Sequence, residues 1–439
     1  MQIEILGYFI IPLGIVLFFL NEKWLLYATI LFMGFTGASI INIGSELSIQ
    51  PSYFLGMMFI LKHLLNVLKN KKIVKPSNIL VIFLIICLCS IVMPILVKND
   101  GVIVIDQDNK YSQVEFSSKN ITQLIYLFYC FVFYWITKDY FNEYPEKKKD
   151  TIKILIYGSI LVAILGLYQE LAYVLGLEFD KIFRSGVHGN VQPYGSFTRI
   201  YSTTIESSML AYYIAPIIVL LLCLNDNNII KHKYLVLFLL IIVGICTIST
   251  TFFLGIISFI IIVLMEKRFK NIHNKRVTKR IFITSIIAIV ALTIVYSVNK
   301  DIINSLLTTT QGKIDKTSVS GTERTTSFLQ HVKIGFEYPF LGVGFGTARS
   351  KDLFSTWICN VGVLGLSIFI FYLFFTINRL KNSKDELSYS VSQYILILFI
   401  CAFTSVSEPY NLFIWYAFAL AENIIAEKNE KEKCNSNNN

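Results

Sequence analysis

Within GSFTRIYSTTIESSMLAYYIAP, residues 195–216, a cation at Arg199 precedes a carboxylate at Glu206 and a hydroxyl at Ser208. Arginine offers phosphate oxygens a fixed fork of N–H donors and keeps its proton. A carboxylate can take a proton from an attacking hydroxyl or hold sugar hydroxyls. Arg199 therefore reads as an anion ligand and Glu206 as a base or a ligand of sugar hydroxyls. A carboxylate at the rim of an apolar run is costly enough to suggest function. The plainer reading makes Glu206 a headgroup-level anchor, paired with Arg199 or water.

A second set lies in SVSGTERTTSFLQHVKIGFEYPFLGVGFGTARS, residues 318–350. Arg324 and Arg349 are the cations, and His331 is a second candidate base, since imidazole titrates near neutrality. A solvated Arg324 and a structurally hydrogen-bonded His331 are the competing readings. Gly342, Gly344 and Gly346 form neither a Walker A loop, which requires GxxxxGK[ST], nor a dinucleotide fingerprint, because position 347 is threonine. Flexible N–H groups at Gly344 and Gly346, with Ser350 and Arg349 beside them, could still cradle an anion. Asp106 and Asp108 are an outer acidic pair with ligand-like spacing, read as a solvated turn. No metal and no cofactor is expected.

These residues must be positioned by membrane helices. Of 439 residues, 54% are hydrophobic, and the mean hydropathy is +0.61. Runs of about 20 apolar residues match a hydrocarbon core of roughly 30 Å, and a backbone in lipid must satisfy its own hydrogen bonds as helix. Candidate spans fall at 5–20, 24–41, 52–68, 77–96, 120–137, 152–177, 204–224, 234–250, 252–266, 281–298, 355–377, 388–406 and 410–426. The expected fold is an all-α polytopic integral membrane protein with about 12–13 transmembrane helices. The lower count applies if the first two runs form a re-entrant pair or one interrupted span.

The net charge of +10 does not point to nucleic acid, because the basic residues concentrate in loops between apolar runs. That distribution is the positive-inside bias. Loops 69–75, 138–150, 231–233, 267–280 and 378–387 share one side, and loops 97–119, 178–203 and 299–354 the other. Of the histidines, His188 and His331 fall on the outer side, as do four arginines, Arg184, Arg199, Arg324 and Arg349. Residues 1–426 read as one polytopic domain that includes a large extracytoplasmic loop, 299–354. Residues 427–439 read as a polar cytoplasmic tail. Ser320 and Glu323 have the spacing of a helical capping box. Phe328, Leu329, Val332, Gly335 and Phe336 recur at helical intervals, so the loop should hold an amphipathic helix ending before Pro339. No cleavable leader is expected. The eight cysteines show no zinc-type spacing and no pair placed for a disulfide.

Three stretches together resemble the Wzy-type O-antigen polymerase family, part of a larger group that includes the O-antigen ligases. They are RIYSTTIESSMLAYYI, SGTERTTSFLQHVKIGFEYPFLGVGFGTARS and NVGVLGL, which together cover roughly residues 195–377. Ser207 stands where that family usually has proline, and the ligases' loop histidine has no counterpart after the glycines. The resemblance implies a GT-C-like, metal-independent glycosyltransferase in the cytoplasmic (inner) membrane of a bacterium, with its active site facing outward. Its substrates would be a polyprenyl-diphosphate-linked glycan donor and a lipid-linked acceptor. Membrane lipid, a chain-length regulator and a flippase would be further partners. Arg199, Arg324 and Arg349 would meet the diphosphate, with Glu206 or His331 accepting the acceptor's proton and Ser208 as a secondary contact. A ligase shares the donor, whereas a lipid-linked glycan transporter would favour polar mid-spans and paired interrupted helices.

Overall fold

The computed structural model describes residues 2–43, 47–68, 73–106, 110–186, 193–194, 197–224, 229–269, 274–298, 311, 319–383 and 385–437. Asp108, His188 and most of the 299–318 segment lie outside them. The protein is an α-helical membrane protein. Each of the thirteen apolar runs contains a helix, and among the described residues six helices are long and apolar enough to cross a bilayer. Four more, Gly7–Leu20, Ser207–Cys223, Lys233–Cys246 and Thr250–Glu266, are apolar but shorter. Among the described residues three small antiparallel sheets of two or three strands sit in the connections.

The chain divides into two compact units. The first comprises Met1–Ile73, Asp139–Leu307 and Lys384–Leu398. Its centre is the helix Ser207–Cys223, in which every residue is buried. Lys147–Val174, Lys233–Cys246 and Thr250–Phe269 pack around it. At one end Glu4 accepts from the Asn42 amide, which also donates to the Ser185 carbonyl. Elsewhere the buried His63 ring bridges Glu22 and Asp139, through Nδ1 at 3.0 Å and Nε2 at 2.8 Å. The 24–41 run is helical only over Glu22–Leu31. Beyond it the chain leaves the helix to make close contacts: a Cβ at Gly34 would strike Val162 and Tyr213, and one at Gly37 would strike the Thr204 backbone.

The second unit comprises Val74–Lys138, Thr308–Ser383 and Phe399–Asn439. Its interior is aromatic, with Trp357 edge-on to Phe369 at 4.1 Å and Phe399 stacked on Phe418 at 5.6 Å. Such pairs add about 0.5–1.5 kcal/mol each beyond area burial. The helix expected in the large loop spans Val319–Glu337 and ends before Pro339. Its buried face, however, is Ser327, His331 and Ile334 with Gly335, while Leu329 and Phe336 point outward. Gly335 decides this, because it lies against the Ile358 carbonyl with no room for a Cβ. An unexpected hairpin, Ile103–Ile105 with Tyr111–Gln113, docks on this helix. There the Gln330 amide donates to Ile103 O at 3.0 Å and accepts from Ile105 N at 3.1 Å. The last helix, Leu412–Asn437, carries the polar 427–437 segment as its own continuation.

Candidate functional site

In the first unit, Arg199 and Glu206 flank a segment that is fastened at almost every polar atom. Gln169 is its clamp: Oε1 accepts from Tyr201 N at 3.1 Å and Ser202 N at 2.8 Å, and Nε2 donates to Arg199 O at 3.1 Å. Ser202 Oγ donates to Val162 O, Thr203 Oγ1 to Gly34 O and Thr204 Oγ1 to Tyr201 O. Ser202 is held at φ 53°, a left-handed conformation unusual outside glycine. A segment so tied has little freedom to lose when a ligand arrives.

Glu206 is the N-cap of the buried helix Ser207–Cys223 and is itself exposed. Its carboxylate accepts from the Ser208 hydroxyl, two residues on. The candidate base and the secondary contact are therefore direct neighbours. The helix dipole favours negative charge at this end. Arg199 is half-buried, and its guanidinium donates to Thr247 O at 3.0 Å and Ile248 O at 3.3 Å. Ile248 has φ 48°, strained for a β-branched residue. Arg199 thus secures the turn after Lys233–Cys246 as well as carrying charge. Arg184 is wholly structural in its contacts, stacking 3.7 Å from the Tyr201 ring and bonding Asp180, Thr204 O and Ile205 O. Sequence reasoning missed Glu170, whose carboxylate accepts from the Thr198 N–H and from the Gln169 amide. Its sequence signal was a carboxylate near the end of an apolar run.

In the second unit the glycine segment is threaded into a broken helix. Leu353–Lys381 is interrupted at Gly362, with φ 70° and ψ −178°. The break leaves carbonyls without helical partners, and the glycine loop supplies them: Val343 N donates to Cys359 O at 2.8 Å and Gly344 N to Asn360 O at 3.1 Å. Phe345 N donates to Ser90 Oγ at 3.1 Å. These amides are engaged within the fold, so the N–H of Gly344 does not point to an anion. Gly344 and Gly346 also serve close approach. A Cβ at Gly344 would lie 2.4 Å from Pro94, and one at Gly346 would lie 3.0 Å from Gln123 and 3.1 Å from Asn120.

This packing fixes the residues that follow. Ala348 is held in both directions by Asn360, which accepts its N–H at 2.9 Å and donates to its carbonyl at 2.8 Å. Ser350 N donates to Thr356 Oγ1 at 3.1 Å, and Ser350 Oγ lies 3.0 Å from Ser327 Oγ. Between these two anchored residues stands Arg349, whose side chain is 40% exposed and pairs with Glu408. Lys351 pairs with Glu323 at 2.9 Å. Arg324, partly exposed, exerts its charge on Asp352, which caps the broken helix through Ser355 N at 2.8 Å. Burial nevertheless raises the Asp352 carboxyl.

His331 is fully buried. Its Nδ1 lies 2.6 Å from the Ser327 carbonyl, an acceptor only, so Nδ1 carries the proton. Nε2 is left buried with no partner among the described residues. Burial pushes its pKa below the ordinary value of 6.5. His331 is thus a neutral ring beneath Ser350 rather than a group facing solvent.

Within this unit His331 and Ser350 both lie against Ser327, Arg349 precedes Ser350, and Arg324 acts on Asp352 two residues beyond it. The reading missed Glu408, whose signal was a lone carboxylate before Pro409 in a short turn between apolar runs. It also missed Asn360, a polar residue in an otherwise apolar run. Among the described residues no cluster of His, Cys, Asp and Glu is placed to hold a metal ion. The chain matches no protein-family model and no curated sequence.

Proposed function

We propose that the protein is a polyprenyl-diphosphate-dependent glycan polymerase of the Wzy type, working at the outer face of a bacterial cytoplasmic membrane. It would be a GT-C-like protein of 12–13 spans. The reaction transfers a growing glycan from its lipid diphosphate to the non-reducing end of a lipid-linked repeat unit. The acceptor hydroxyl oxygen bonds to the anomeric carbon and gives its proton to Glu206. The bond from that carbon to the diphosphate oxygen breaks, and polyprenyl diphosphate departs with the bonding pair. Arg349, with Arg324, meets the negative charge developing on the leaving group. Arg199 contributes charge at the other end of the segment that leads to Glu206.

The observation that carries this reading is the state of Arg349: a part-exposed guanidinium on a backbone pinned at Ala348 and Ser350. A donor fork held in place before substrate arrives costs no reorganisation when charge develops. Its motif context, SGTER to GVGFGTARS, is what resembles the polymerase family.

A transport reading has one observation in its favour, the interruption of Leu353–Lys381 at Gly362 beside Asn360, since transporters build sites on broken helices. One experiment separates the two. Purified protein in nanodiscs is given a synthetic polyprenyl-diphosphate repeat unit, and products are sized. A ladder is expected; unaltered substrate that changes leaflet in vesicles would establish transport instead. Glu206→Gln is expected to bind the donor normally but slow transfer by about 10²–10⁴, the usual weight of general base catalysis. Arg349→Ala is expected to lose donor binding. Normal ladders from both variants would refute the assigned roles.

A further inference from the structure

Arg349 already holds an anion of the protein's own, Glu408. The carboxylate is 19% exposed and stands between the helices Glu386–Ser405 and Leu412–Asn437. The backbone here is fastened. Asn411 Nδ2 donates to Glu408 O at 3.2 Å, Trp415 Nε1 to Pro409 O at 2.8 Å and Cys130 Sγ to Tyr410 O at 3.3 Å. The Glu408 side chain, in contrast, has Arg349 as its partner among the described residues.

The neighbouring acids are bound differently. Asp352 is buried and accepts from both Ser355 N and Ser355 Oγ as a helix cap. Glu323 sits on a helix and pairs with Lys351. Glu408, unlike Asp352, caps no helix, so it leaves Arg349 by side-chain rotation with no helix end disturbed. Carboxylate and phosphate oxygens accept from the same guanidinium fork, so the two compete for one set of donors.

We propose that Glu408 is a built-in stand-in for phosphate. It occupies Arg349 in the empty protein, an arriving diphosphate displaces it, and it returns as the spent polyprenyl diphosphate leaves. Glu408 is a positioning residue that acts through Arg349 and weakens donor and product binding alike. The inference rests on the reading of Arg349 as a diphosphate ligand. It adds that the site regulates its own affinity and empties itself after each transfer.

The test measures binding of inorganic pyrophosphate and of polyprenyl diphosphate to full-length protein in nanodiscs. The proteins are wild type, Glu408→Gln, Glu408→Asp, Arg349→Ala and the double variant Arg349→Ala/Glu408→Gln. Glu408→Gln is expected to bind both ligands roughly tenfold more tightly, the scale of one charge-assisted pair. Arg349→Ala and the double variant are expected to bind equally weakly, because Glu408 has no effect without Arg349. With donor, Glu408→Gln should lower KM and also lower kcat as product lingers. A purely structural Glu408 would not tighten binding.

Unchanged or weaker binding by a folded Glu408→Gln overturns the inference. If Glu408→Gln is unstable, Glu408→Asp, which keeps the charge, must match wild-type affinity; weaker binding by that variant also overturns it. Failure of wild type and Glu408→Gln alike to bind either diphosphate removes the Arg349 reading, and the inference with it. Tighter binding by Glu408→Gln without any polymer from wild type upholds the inference and defeats the polymerase reading alone.

Discussion

His331 and Arg349 lie close together through Ser327 and Ser350, yet their surroundings give them different tasks. Arg349 is part-exposed and able to meet a ligand, whereas His331 is sealed in with its Nδ1 proton committed to Ser327. Burial lowers its pKa, so below about 6.5 the unfolded chain binds a proton that the folded chain refuses. The stability contributed by the neutral ring is therefore complete above that pH and is lost as pH falls through the folded pKa. Thermal unfolding in detergent between pH 8 and pH 5 should show this loss, and His331→Gln should flatten it. The same variant should cost about 1–2 kcal/mol at neutral pH, by disturbing a buried hydrogen bond, while retaining polymer formation. A steep loss of turnover at unchanged stability would instead return His331 to the chemistry. The arginines were legible from residue type and side. Glu408 and the burial of His331 were not, because both depend on segments far apart in the chain.

At the scale of elements, the apolar runs were legible because a backbone in lipid has to be helical. The break at Gly362 was not. Glycine pairs in an apolar helix more often mark tight packing, and only the inserted glycine loop gives the exposed carbonyls their partners. Two substitutions separate conformation from contact. Gly101 has φ 66° with nothing within 4 Å of an added Cβ, so Gly101→Ala should cost about 1 kcal/mol of left-handed strain. Gly362 combines φ 70° and ψ −178°, a region essentially restricted to glycine. A Cβ there would also lie 2.4 Å from Pro339 O. Gly362→Ala should therefore cost more than 3 kcal/mol, adding a backbone clash to the conformational strain, and should free the loop that carries Arg349. Comparable unfolding temperatures for the two variants would show that the break tolerates a side chain. On Val319–Glu337 the apolar residues that recur at helical intervals divide between two surroundings: Gly335 docks on protein with His331, while Leu329 and Phe336 are exposed.

Across the whole molecule, the side assigned to each loop by its lysines can be set against which loop ends meet within each unit. In the first unit Ser185, in a loop assigned outward, is bonded to Asn42 and through it to Glu4, while Asp139, in a loop assigned inward, is bonded through His63 to Glu22. Glu4 and Glu22 thus sit in opposite groups, which favours a crossing by Gly7–Leu20 over a re-entrant pair. In the second unit Tyr338 reaches Asp100 and Asn120 reaches Phe345, all outward, while Lys138 meets Glu422 and Lys428 meets Asn382 O, all inward. No pairing in either set joins an outward to an inward position. Several helices remain short: the 17 residues of Ser207–Cys223 rise roughly 26 Å, less than a typical core of about 30 Å. That helix is enclosed by protein along its whole length, so it need not match the lipid. Single cysteines in a background without Cys89 and Cys434 can test the arrangement with a membrane-impermeant maleimide. Cysteine at Lys98 or Lys181, both well exposed, should label in intact cells. Cysteine at Lys149 or Glu430 should label only after the membrane is opened. Labelling of the second pair alone in intact cells would reverse the sidedness and place Arg349 and Glu408 on the cytoplasmic face, where an outward-facing polymerase site is impossible.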